Sequence, residues 1–170
     1  MFVLGIDPGL TRCGYGVVER SRETEAPYRA ALAGLIVTDP KERVDRRLAS
    51  LVLDVEDLLD EVRPAAVVVE KIFFQTNVRT AISVAQASGV VLAAAGRRAI
   101  PVALYTPNEV KQAVVGHGGA TKAQVQAMVM RLCGLPERLQ PPDVADAVAL
   151  AICHLTSHRL SQAIAAADAS

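Results

Sequence analysis

The run Phe2-Val3-Leu4-Gly5-Ile6-Asp7-Pro8-Gly9, followed by Cys13-Gly14-Tyr15-Gly16-Val17-Val18-Glu19, decides the fold. The first piece is an apolar strand that ends on a carboxylate, and Pro8-Gly9 belongs to a turn. The second piece reads as its antiparallel hairpin partner. Tyr28 to Thr38 has the composition of a third strand, so the chain opens as a meander. A buried, unpaired carboxylate is costly. Asp7, placed where its strand runs out, is therefore either a turn residue or a ligand.

Working outward, Asp39-Pro40 starts a helix in which Val44, Leu48, Leu51, Val52, Val55, Leu58, Leu59 and Val62 follow helical spacing. Pro64 stops it. Ala65 to Glu70 is short and Val-rich, the pattern of a strand covered on both faces. Thr80 to Ala95 reads as a helix apolar on most sides, hence buried in a core or between subunits. Val102 to Tyr105 is a further strand, and Thr106-Pro107 starts another helix. Thr121 and Gln124 make a capping-box pattern after the Gly116–Gly119 loop. Asp143 to Leu160 is the last helix. The expected fold is α/β: a mixed five-stranded sheet, an antiparallel three-strand meander plus two further strands, flanked by helices. One domain over 1–160 is expected, with 161–170 a fraying tail.

With 170 residues, half of them hydrophobic, the chain can bury a substantial core. It has no apolar run long enough for a bilayer and no signal-peptide pattern, so a cytoplasmic protein is expected. Cys13, Cys133 and Cys153 lack metal-ligand spacing and read as buried thiols. Net charge is zero but segregated. Residues 71–131 hold seven basic residues and one acid, whereas residues 39–63 hold eight acids and five bases. The basic segment suits an anion-binding face, or a set of solvated helix faces.

Asp7 is not alone. Val67-Val68-Val69-Glu70 delivers a second acid at a strand end, and Asp143 and Asp146 share one helix face. Each has an ordinary reading: Asp7 in an Asx-type turn, Glu70 paired with Lys71 or an arginine, Asp143 and Asp146 as cap and first-turn acid. Together, each at the end of an element, the four favour a divalent-metal site. Like charges this close repel and raise one another's pKa, a penalty that a bound dication removes. Mg²⁺ takes oxygen ligands, and two such ions serve in-line phosphoryl displacement.

The loop after Glu70 is Lys71-Ile72-Phe73-Phe74-Gln75-Thr76-Asn77-Val78-Arg79, holding two of the three phenylalanines among polar residues. Aromatic side chains beside basic ones can stack on or wedge between bases; either ring can equally fold into the core. Lys111 and Lys122 sit near helix-start or Gly-rich positions that could meet phosphates.

These pieces resemble the RuvC family of bacterial Holliday-junction resolvases, within the RNase H-like superfamily. The matching segments are Leu4–Gly9 with Gly14-Tyr15-Gly16-Val17, Val69–Phe73, Gln86–Val90, Val110–Gly116 and Asp143–Ala149, in family order along nearly the whole chain. The resemblance implies an RNase H-like sheet and a homodimeric endonuclease. That enzyme makes two symmetric nicks in four-way junctions during homologous recombination and DNA repair. It implies Asp7, Glu70, Asp143 and Asp146 as catalytic ligands of Mg²⁺, with Mn²⁺ as a substitute, two ions per site. It implies DNA contacts from Phe73, Phe74, Asn77, Arg79, Lys111 and Lys122, and the RuvA–RuvB branch-migration complex as partner. The chain departs from the family in its neutral net charge, and in Asp143 where some relatives carry histidine.

Two other classes remain. A junction-binding module would bind without metal and leave strands intact. A fragment of an actin-like kinase would need a second similar domain, which 170 residues do not supply. The helix from Thr80 to Ala95 is the expected dimer interface.

Overall fold

The computed structural model describes residues 1–22, 25–71 and 78–168, with the side chains of 78–80 and 159–168 outside the described residues. Strands β1 (Val3–Asp7), β2 (Arg12–Arg20) and β3 (Tyr28–Val37) form the expected meander. Helix α1 (Val44–Val62), strand β4 (Ala66–Glu70), helix α2 (Val78–Arg97) and strand β5 (Val102–Tyr105) follow. Helices α3 (Pro107–Val115), α4 (Lys122–Leu132) and α5 (Pro142–Asp168) complete the chain.

The sheet runs β3-β2-β1-β4-β5, antiparallel through the meander and parallel from β1 to β4 to β5. Helices cover both faces. Leu4, Ile6, Val67 and Val69 pack with α1 and α2, whereas Val3, Val18 and Val68 pack with α3, α4 and α5. This explains the unbroken apolar run of β4: successive side chains enter two different cores. Full burial of each such side chain is worth roughly 1.5–3 kcal/mol relative to exposure.

Local chemistry sets the helix ends. Thr106 and Glu109 form a reciprocal capping box at α3, and Thr121 and Gln124 form one at α4. Each satisfies two otherwise unpaired backbone donors. Arg63, left-handed at φ 47°, closes α1 before Pro64. Two boundaries differ from expectation. The first helix does not begin at Asp39-Pro40. The Asp39 carboxylate accepts the Lys41 amide at 2.9 Å and its carbonyl accepts that of Glu42, which makes a turn and delays the helix to Val44. The last helix continues through its Ala-rich end to Asp168, because alanine is the best helix former.

Candidate active site

Asp7 is the last residue of β1 and Glu70 the last of β4. The strands are parallel and in register at Ile6 and Val69, so the two acids stand side by side one step further on. Strand side chains alternate between faces. Asp7 therefore shares the face of Gly5 and Val3, and Glu70 that of Val68, which is the face covered by α5.

Asp143 and Asp146 lie on the first turns of α5. Their approach to Asp7 depends on β2. Gly14 pairs with Asp7 across the hairpin, and a Cβ at Gly14 would stand 2.2 Å from the Asp143 carbonyl. The absence of a side chain lets the start of α5 rest directly on the strand. All four acids are half-buried and feel one another. Burial, followed by repulsion from Asp146, Glu70 and Asp143, pushes the Asp7 carboxyl up to about 7. Burial and Asp146 likewise raise Glu70, against the pull of Lys122 and Lys111.

Two cations hold the α5 acids. Arg12 donates to Asp143 at 2.7 Å, and the Lys122 ammonium sits 2.5 Å from Asp146. Burial alone would lower the Lys122 ammonium. Its hydrogen bond to Asp146 and the attraction of Asp146, Asp7 and Asp143 outweigh that and raise it. Among the described residues no group of three acids, histidines or cysteines is drawn together closely enough to hold an ion. The donor set nevertheless fits a hard divalent cation. It is made of carboxylate oxygens, and Asp7 carries an electrostatic penalty that such a cation would relieve.

The structure thus brings together the four predicted acids and Lys122, with Lys111 near enough to act on Glu70. Phe73, Phe74 and Asn77 lie outside the described residues, and Arg79 is on the first turn of α2 with its side chain outside them. Arg12 was not foreseen. Its signal was a cation two positions before Gly14 on a strand whose same-face neighbours are glycines.

The basic segment 71–131 is not one surface. Arg98 makes two 2.7 Å bonds to the Asp60 carboxylate, and Arg97 and Arg98 both reach Glu56. These cations tie α2 to α1 on the opposite side of the sheet from the acids. The three cysteines are buried, with thiols pushed by burial up to about 12 at Cys13 and about 11 at Cys133 and Cys153, so none is a ready thiolate. Among the described residues no helix is long and apolar enough to cross a membrane.

The family model for the crossover junction endodeoxyribonuclease RuvC matches residues 3–154. A protein of that name from Leifsonia xyli subsp. xyli is 53% identical over 154 residues, 89% of this chain and 72% of that one. One from Streptomyces avermitilis is 50% identical over 169 residues, 97% of this chain and 95% of its own. The Thermus thermophilus RuvC structure matches with a TM-score of 0.87 at 38% identity, covering 95% of this chain and 97% of that one. The same protein, solved in complex with a Holliday junction substrate, matches equally at 0.87. The yeast mitochondrial Holliday junction resolvase Ydc2, at 14% identity and a TM-score of 0.62, shares the fold alone. A sheet with acids at adjacent parallel strand ends, closed by acids on the last helix, and this agreement over nearly the full chain lead to one conclusion: the protein belongs to the RuvC family of crossover junction endodeoxyribonucleases.

Proposed function

We propose that the chain is a metal-dependent endonuclease that resolves four-way DNA junctions by paired nicks, in homologous recombination and repair. One observation carries this reading: Asp7 and Glu70, side by side at parallel strand ends, face Asp143 and Asp146 on α5, and burial together with the charge of the other three acids raises the Asp7 carboxyl to about 7. A 38%-identical relative binds a Holliday junction.

Asp7, Glu70, Asp143 and Asp146 would hold two Mg²⁺ ions, with Mn²⁺ as a substitute. Bound there, such ions supply Lewis acidity for water attack at the scissile phosphate and for departure of the 3′ oxygen. The chain's own residues do the rest. Asp7 must shed its proton before it can ligate, and Lys122 and Lys111 balance the negative charge gathered at the mouth. Phe73 or Phe74, with Asn77 and Arg79, engages bases and backbone of the DNA. The expected products are a 5′-phosphate and a 3′-hydroxyl.

A junction has two-fold symmetry, so a C2 dimer offers one site to each of two strands. Helix α2 supplies the interface. Ile82, Gln86, Gly89, Ala93 and Gly96 are exposed at helical spacing, and a Cβ at either glycine would meet nothing of its own chain. This fold has no need of those glycines, whereas a helix packed closely against a second copy does. The nuclease unit comprises residues 1–160, acts in the cytoplasm and works with RuvA–RuvB.

The test is a synthetic four-way junction incubated with Mg²⁺, beside a linear duplex and a chelated sample. Symmetric, metal-dependent nicks on the junction alone are expected. Binding without nicks in every metal would leave only a junction-binding module.

A further inference from the structure

We propose that Arg12 is a phosphate-binding residue of the active site, stored on Asp143 while the site is free of metal and DNA. The inference rests on the nuclease reading and goes beyond it, since Arg12 is not one of the acids or lysines assigned above.

Arg12 opens β2 and lies two residues before Gly14, on the face of the sheet turned to α5. Its guanidinium donates to Asp143 Oδ2 at 2.7 Å. The backbone that carries it is fixed from behind. Arg47 donates to the Thr11 hydroxyl at 2.6 Å and the Thr38 hydroxyl at 3.0 Å, and Thr38 in turn donates to the Leu10 carbonyl. Arg12 is therefore aimed by a built turn, while its side chain stays 45% exposed. An ion pair this open to solvent adds little to stability. A role in holding the fold together does not account for it.

A role at the site does. Were Asp143 to hold a dication, its carboxylate would no longer be available to the Arg12 guanidinium. The anion then nearest to Arg12 is the backbone of the strand being cut. The planar guanidinium fork can meet two phosphate oxygens at once, where a lysine supplies only a point charge. Arg12 would thus pass from Asp143 to a phosphate of the substrate when the acids hold a cation.

The experiment compares wild type, Arg12→Ala and Arg12→Lys, each checked for folding by thermal melting. Mn²⁺ affinity is measured by calorimetry without DNA. Junction affinity is measured against salt with Ca²⁺ in place of Mg²⁺. Arg12→Ala should bind Mn²⁺ several-fold more tightly, because the competitor for Asp143 is gone. It should bind the junction more weakly, with a log–log salt slope smaller by about one, the loss of one phosphate contact. Arg12→Lys should keep the slope. A slope equal to wild type in Arg12→Ala would overturn the assignment and leave a structural ion pair. Wild-type nicking is scored on the same preparation. Its absence would overturn the nuclease reading, whereas an unchanged slope with nicking intact overturns only the role of Arg12.

Discussion

Gly5 lies so close beneath Ala147 that a Cβ on it would stand 2.0 Å from the Ala147 carbonyl oxygen and 2.9 Å from the Ala151 nitrogen. Gly16, its partner across the hairpin, meets Val148 in the same way. Helix α5 therefore sits on the sheet backbone itself, and its first turns come level with the strand ends where Asp7 and Glu70 stand. Gly5→Ala should force α5 outward. Overpacking of this kind costs roughly 1–3 kcal/mol. Urea denaturation should register that loss, and nicking should fall further than stability because Asp143 and Asp146 retreat with the helix. A variant with wild-type activity would show that the helix does not set the site.

Asp7→Asn should keep the fold and junction binding but abolish nicking. Asparagine preserves the shape of the side chain while removing its charge. A nicking assay beside a gel-shift titration separates the two effects, and cleavage near the wild-type rate would remove Asp7 from the ligand set.

The same carboxyl gives the metal-free protein a pH dependence of known sign. Folded, Asp7 keeps its proton up to about 7; unfolded, only to about 3.8. Between these values the folded state binds the extra proton, so this contribution to stability falls as pH rises through the window. The loss is on the order of a few kcal/mol at most. With chelator present, the difference in unfolding free energy between Asp7→Asn and wild type should grow from pH 4 to pH 8. A constant difference would refute the shift.

Arg98 and Lys111 should behave as opposites, although both belong to the basic segment. Arg98→Ala should leave junction affinity unchanged, because its guanidinium is committed to Asp60 and Glu56. Lys111→Ala, on the side of the acids, should weaken junction binding and reduce its salt dependence. Fluorescence anisotropy at two salt concentrations decides.

Ile82→Glu should convert the dimer proposed through α2 to monomers at micromolar concentration. Ile82 is 52% exposed in the single chain, and a charge there is tolerated by the fold but not by a close helix-to-helix contact. Sedimentation velocity reads the outcome directly.

Much of this was legible in the sequence because the signals are local. The hairpin, the Val-rich β4 and the Thr121–Gln124 box each depend on residues within a few positions of one another. The four acids were legible because each sits at the end of such an element. What escaped depends on distant pairs. The glycines of β1 and β2 were visible, but their partner is a helix well over a hundred residues away. Arg12 and Asp143 are 131 positions apart. Counting charge along 71–131 missed that α1 claims Arg97 and Arg98, since acids of a neighbouring helix do not appear in that count.

The acids come from the first strand, the fourth strand and the last helix, so the cluster is complete only once α5 has been made. A chain still emerging from the ribosome can present Asp7 and Glu70, but Asp143 and Asp146 arrive only when α5 has been made and has settled onto Gly5, Gly14 and Gly16. The same holds for a chain trimmed from its C-terminal end. On the proposed assignment of these acids, a chain without α5 would hold two of the four ligands and would not nick DNA.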